Sequence, residues 1–162
     1  MSRNLTIKIF CKNISIGDGF NYRKGFLINV HPKAKLKIGE NVFFNNNCSI
    51  NVQQNVTIGN NCIFGEGVKI YDHNHIFNDS GIPFYKQGFS CKSVIIGSNC
   101  WVGSNVIILP GVVVGDNTVI GAGCVVSSSI PSDVIVKQNR SLDIVYIKYK
   151  KGDSNDKNSS NC

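Results

Sequence analysis

Two histidines two residues apart, in Asp72-His73-Asn74-His75, are the side chains of this sequence best suited to proton transfer. Imidazole titrates near neutral pH, so one histidine can take a proton from a hydroxyl or amine under ordinary conditions. In an extended segment His73 and His75 share a face. Asp72 is a carboxylate of the kind that orients an imidazole through its second nitrogen, although immediate adjacency makes that geometry awkward. The third histidine, His31, precedes Pro32 and reads as structural. An i, i+2 pair and one distant histidine do not make a three-histidine zinc site. The seven cysteines show no CxxC spacing, and Cys11, Cys91 and Cys162 have no companion pattern, so the chain reads as reduced and metal-free.

The histidine pair opens an insertion, residues 71–93, in an otherwise regular repeat. Between Val94 and Val126 the period is six. Ile96, Val102, Ile108, Val114, Ile120 and Val126 hold one position, while Val94, Cys100, Val106, Val112, Thr118 and Cys124 hold the position two earlier. Gly97, Gly103, Gly115 and Gly121 follow four of the aliphatic residues, marking corners that need an unusual dihedral or a close approach of chains. A hexad buries little alone and is stable when coil stacks on coil, which makes the chain an all-β parallel β-helix. Three hexads form one triangular coil. Cys48 and Cys62 join Cys100 and Cys124 at the small inward position, as packing residues. Trp101, the single tryptophan, falls on an outward position, and an exposed indole calls for a ligand or a partner.

The repeat begins irregularly. Ile14 and Ile16 make one strand, 18–23 a turn and 26–30 another strand, and this part is expected to cap the solenoid. From Leu36 the pairs are regular, except that two extra residues around 53–55 require a bulge or a widened corner. Beyond Val126, residues 134–136 and 142–151 alternate as strands expected to fold back over the other end. Residues 1–151 thus form one domain, and the polar stretch 152–162 reads as a disordered tail. The first ten residues have neither the length nor the pattern of a signal peptide or membrane span, which places the protein in the cytoplasm without membrane insertion. Net charge is +7, but the basic residues are scattered without interleaved aromatics, and a solenoid offers no reading helix, so nucleic acid is not an expected partner.

Trp101-Val102-Gly103, Leu109-Pro110-Gly111-Val112 and Val119-Ile120-Gly121-Ala122-Gly123 in fixed register, followed by Ile130-Pro131 and combined with a loop opening on Asp72-His73-Asn74-His75, resemble the left-handed β-helix acyltransferases. The resemblance runs from about Lys35 to Pro131 and is strongest to the maltose and galactoside O-acetyltransferase type and to acetyltransferases of capsular and lipopolysaccharide gene clusters. It implies a left-handed solenoid, acetyl-CoA as co-substrate and a homotrimer with active sites between subunits. It further implies transfer of acetyl to a sugar hydroxyl in bacterial surface polysaccharide synthesis. His73 aligns with the family's catalytic base; His75 is a candidate for assisting it or for holding the acceptor. Asn47 matches an acceptor-contacting asparagine, and loop residues Phe84, Tyr85 and Phe89 either stack on a sugar or pack the loop. Trp101, Gly103, Ser104, Gly121 and Ala122 match the cofactor cleft, Ser104 and its backbone lying near the thioester as oxyanion donors. Where the family closes with Gly-Asn-Pro-Ala, this chain has Lys137-Gln138-Asn139-Arg140, whose Lys137 and Arg140 are candidates for pairing with cofactor phosphates. The same solenoid also resembles γ-class carbonic anhydrases, but this chain lacks their histidine set. Two alternatives stand beside sugar O-acetylation: N-acetylation of an amino sugar, and a non-catalytic assembly or binding solenoid.

Overall fold

Each hexad becomes a strand of two to four residues and a corner, and successive strands lie on three faces of a triangular coil. The computed structural model describes residues 13–138 together with the backbone of Thr6–Ile9. The first face stacks Ile14–Ile16, Lys35–Ile38, Asn55–Ile58, Val94–Ile96 and Val113–Val114. The second stacks Asn21–Tyr22, Phe43–Phe44, Ile63–Phe64, Trp101–Val102, Val119–Ile120 and Ile135–Val136. The third stacks Thr6–Ile9, Leu27–Val30, Ser49–Val52, Lys69–Tyr71, Ile107–Ile108 and Val125–Val126. Pairing within all three faces is parallel, so the expected β-helix of hexapeptide repeats is the observed architecture.

In-register stacking of like side chains fills the interior. Ile28, Ile50, Ile70 and Ile108 form one column on the third face, all fully buried. On the second face Phe44 and Phe64 lie ring on ring at 4.1 Å and 5°, and Phe26 extends the stack at 4.6 Å from Phe44. The small inward position does more than fit a corner. Cys48, Cys62 and Cys100 donate their Sγ hydrogens to the corner carbonyls of Gly65, Gly97 and Gly115 at 3.0, 3.1 and 3.3 Å. Thr118, in the equivalent place, donates its hydroxyl to Pro131 O at 3.2 Å. Where a cysteine or threonine stands at this position it satisfies a buried carbonyl, while valine holds the same position on other corners. Burial pushes the Cys48 thiol up, and the neighbouring Cys100 thiol, with burial, does the same for Cys62.

Both ends differ from the sequence expectation. Residues 14–30 do not cap the solenoid but form a regular coil, with a strand at Asn21–Tyr22 where a turn was expected. Aromatic residues in place of aliphatic ones hide the repeat there: Phe20 and Tyr22 pack against Phe26. At the other end Ile135–Val136 does not fold back but continues the second face, pairing parallel with Val119–Ile120. Residues 142–151, the tail 152–162, Arg140, Cys11 and Cys162 lie outside the described residues. The recurrent glycines turn out to serve close approach. A Cβ on Gly103 would stand 2.6 Å from the Ala122 nitrogen of the next coil, whereas the positive φ falls two residues later, on Asn105.

Candidate active site

The sequence irregularity around 53–55 and the insertion meet at one point. Leu36 pairs with Val56, 20 residues on, whereas Ile95 pairs with Val113, 18 residues on, so the earlier coil carries two additional residues at its third corner, between the third and first faces. There the successive N–H groups of Gln53, Gln54 and Asn55 converge on the carboxylate of Asp72, at 2.8, 2.7 and 2.7 Å. Asp72 is fully buried. A buried carboxylate needs such donors, and the widened corner supplies them.

The chain leaves this corner as an antiparallel hairpin, His73–His75 paired with Phe89–Cys91. Asp72 Oδ1 also meets His73 Nδ1 at 3.0 Å, so adjacency in sequence does not prevent the orienting contact judged awkward above. A carboxylate only accepts, so in the neutral imidazole this contact selects the tautomer protonated on Nδ1, in which Nε2 carries the lone pair. The imidazole, 15% exposed, is wedged edge-on between Phe89, at 5.1 Å, and Tyr71, at 6.2 Å. His75 projects on the same face as expected for a strand, and its ring lies 4.5 Å from Phe89. The hairpin therefore brings Phe89 to the histidines. Phe84 and Tyr85 sit apart, exposed in the short helical turn Phe84–Lys86 at its far end. Gln87 ties that end together through Asp79 O and Ile82 O at 2.9 and 2.6 Å. An open groove of about 520 Å³ runs beside it, lined by residues 79–84.

Cys91, which belongs to no cysteine motif, lies directly across the hairpin from His73. Burial and then the Asp72 charge push its thiol above the ordinary range, which keeps it protonated and a poor nucleophile.

The remaining candidates gather at the second corner, between the second and third faces. Gly103 and Ser104, Gly121 and Ala122, and Lys137 occupy it on three successive coils: Gly103 N–H donates to Ile120 O and Gly121 N–H to Val136 O. Trp101, 55% exposed, stands on the strand entering this corner, flanked by Ile63 and Val119 on the coils before and after. The corner has spare donors. At the first corner, between the first and second faces, the N–H groups of Asn60 and Ser98 are taken by side chains of the next coil, Ser98 Oγ and Asp116 Oδ1. At the second corner the N–H groups of Ser104 and Ala122 have no partner among the described residues. Donors beside small side chains and an exposed indole suit a long, amide-bearing thioester cofactor such as acetyl-CoA. Asn47 belongs to this corner too, in left-handed conformation (φ 58°), with its Oδ1 packed where a Cβ on Gly25 would be. One chain thus holds the histidine hairpin and the donor-lined corner at two different corners, with the whole third face between them.

Residues 93–128 match the family model for the bacterial transferase hexapeptide (six repeats). Over 131 residues the chain is 30% identical to the protein named as the lipopolysaccharide biosynthesis O-acetyl transferase WbbJ of Escherichia coli (strain K12), covering 76% of this chain and 67% of that protein. The chain belongs to the hexapeptide-repeat transferase family. Among solved structures of this family it resembles a maltose O-acetyltransferase from Clostridium difficile 630, with 32% identity, a TM-score of 0.65 and coverage of 76% of this chain and 65% of that one. A galactoside acetyltransferase in complex with coenzyme A gives 29% identity and a TM-score of 0.55, covering 81% of this chain and 58% of that one. The hexapeptide-repeat core is what is shared, since this chain spans only 54–55% of the length of other curated relatives. No helix among the described residues is long and apolar enough to cross a membrane.

Proposed function

We propose that the protein is an acetyl-CoA-dependent O-acetyltransferase of the cytoplasm that acetylates a sugar hydroxyl in the synthesis of a bacterial surface polysaccharide. The observation that carries the reading is the chain Asp72–His73: a carboxylate held by three backbone donors fixes an imidazole with its Nε2 free. Acetyl-CoA supplies an activated acetyl group. His73 Nε2 takes the proton of the acceptor hydroxyl, which attacks the thioester directly, and the N–H groups of Ser104 and Ala122 are the available donors for the developing oxyanion. Trp101 lies along the cofactor, Gly103 and Gly121 let it approach the backbone, and Lys137 pairs with its phosphates. His75, Phe89 and Asn47 contact the acceptor. Phe84 and Tyr85, at the far end of the hairpin, contribute only if the acceptor is long.

Because His73 and the donor-lined corner lie at different corners of one chain, the reading also needs a homotrimer in which the hairpin of one subunit meets the second corner of the next. The exposed Trp101 and Ile63, with Phe77 and Ile82 on the hairpin, supply apolar surface for such contacts, and Asn78 Oδ1 is buried without a partner among the described residues. The test is calorimetric titration with acetyl-CoA followed by an acceptor screen. Saturable binding near one site per subunit, weakened by Trp101→Ala, and turnover abolished by His73→Ala with the fold intact are the expected results. Failure of the intact protein to bind acetyl-CoA overturns the reading and favours a binding solenoid.

A further inference from the structure

The third corner continues below the histidine hairpin as a strip of polar side chains. One coil down lie Gln53 and Gln54, whose backbone holds Asp72 and whose side-chain amides have no partner among the described residues. One coil further down, His31, Lys33, Lys35 and Lys37 alternate on the outside of the chain, all exposed. Lys35 is in register with Asn55, the residue next to Gln54, and Lys37 with Thr57. None of the three lysines has an acidic partner among the described residues. The charge is concentrated in this part of the molecule: residues 1–40 contain eight basic and two acidic residues, so +6 of the net +7 resides there.

Resting on the function proposed above, we infer that the acceptor carries a sugar phosphate or diphosphate, bound by Lys33, Lys35 and Lys37. The cofactor candidates occupy the coils on the C-terminal side of His73, which leaves the N-terminal coils for the acceptor. Two coil steps separate His73 from Lys35, roughly 10 Å at the usual strand spacing, a span that one hexose ring and its anomeric phosphate bridge. The Gln53 and Gln54 amides between them face the sugar hydroxyls. Lys35 and Lys37 alternate along one strand and Lys33 stands on the turn that leads into it; the three like charges repel one another, and a diphosphate relieves that repulsion while meeting more than one ammonium group. Two sources present this chemistry, a nucleotide-linked sugar and a lipid-linked sugar diphosphate.

The experiment titrates inorganic pyrophosphate into the full chain saturated with coenzyme A, comparing wild type with Lys33→Gln/Lys35→Gln/Lys37→Gln. Expected is saturable binding in the wild type that weakens about tenfold or more in the triple variant and falls with salt, as charge-assisted contacts do, while coenzyme A affinity is unchanged. No saturable binding, equal binding in the variant, or loss of binding through occupation by coenzyme A overturns the inference. Acetylation is then compared among N-acetylglucosamine, its uridine diphosphate and its undecaprenyl diphosphate. Preference for either diphosphate, lost in the triple variant, supports the inference and identifies the source, and equal use of the free sugar overturns it. A protein that binds pyrophosphate at these lysines but not acetyl-CoA would retain the strip and sink only the transferase reading.

Discussion

Asp72 concentrates in one carboxylate a structural and a chemical task, and the two separate by substitution. Asp72→Asn replaces one acceptor oxygen with a donor that faces backbone N–H groups, so thermal unfolding should show a loss of about 1–3 kcal/mol. Turnover should fall about 100-fold or more, because the imidazole loses the partner that fixes its tautomer, as for removal of a general base. His73→Ala should cost turnover by a similar or larger factor and leave the unfolding midpoint near that of wild type. Equal activity of the Asp72→Asn variant would remove the carboxylate from the mechanism. The histidine was legible in the sequence because its type and its place at the opening of an insertion point to chemistry. The carboxylate's orienting role could be read as a candidate but its anchoring could not, since the partners that hold it are backbone groups 17 to 19 residues earlier. Backbone donors leave no residue signature, and the only trace was a two-residue excess at 53–55. Cys91 was likewise invisible, because antiparallel pairing across a 19-residue hairpin sets its place opposite His73.

At the scale of the coil, Cys48, Cys62, Cys100 and Thr118 behave as donors, which yields a ranking at one position. Cys62→Ser should keep the bond to Gly97 O and unfold near the wild type, whereas Cys62→Ala leaves that carbonyl unpaired and should cost about 1–3 kcal/mol, read by denaturant titration. Thr118 shows that a hydroxyl fits the site. The thiols also set an alkaline limit. Cys48 has a raised folded value from burial, so the folded chain retains a proton that the unfolded chain releases near the ordinary thiol range, whereas Cys62 is raised and its neighbour Cys100 lowered by the same interaction. Stability is full below that range and declines as pH rises through it. Denaturant midpoints should therefore fall on the alkaline side, and Cys48→Ser should flatten the decline. The six-residue period made these elements readable from Leu36 to Val126. It failed at Phe20, Tyr22 and Phe26, where aromatic stacking serves the same packing purpose without the aliphatic signature.

For the whole molecule, the two-corner arrangement predicts complementation between impaired variants, assayed at acetyl-CoA concentrations too low for Trp101→Ala to bind it. Mixed after dissociation, His73→Ala and Trp101→Ala chains in a cyclic trimer would restore roughly one quarter of the sites, because each site takes its histidine from one subunit and its tryptophan from the next. Assays of the mixture should show activity absent from either variant alone, and none if one chain holds both halves. The parallel ladders have a further consequence for the order in which the protein comes apart. Each coil touches only its neighbours, so opening propagates from the ends with a free energy that grows toward the middle. Asp72 and its cradle sit on central coils, while Lys137 follows Ile135–Val136, the last strand among the described residues, which pairs there with Val119–Ile120 alone. Amide exchange should therefore be fast at 134–136 and slow at 53–55, and coenzyme A, which bridges the last coils in the proposed site, should slow the former and leave the latter unchanged. Loading the cofactor would then act as a clamp on a fraying end, and the protein would finish building its own binding groove only as the groove is filled.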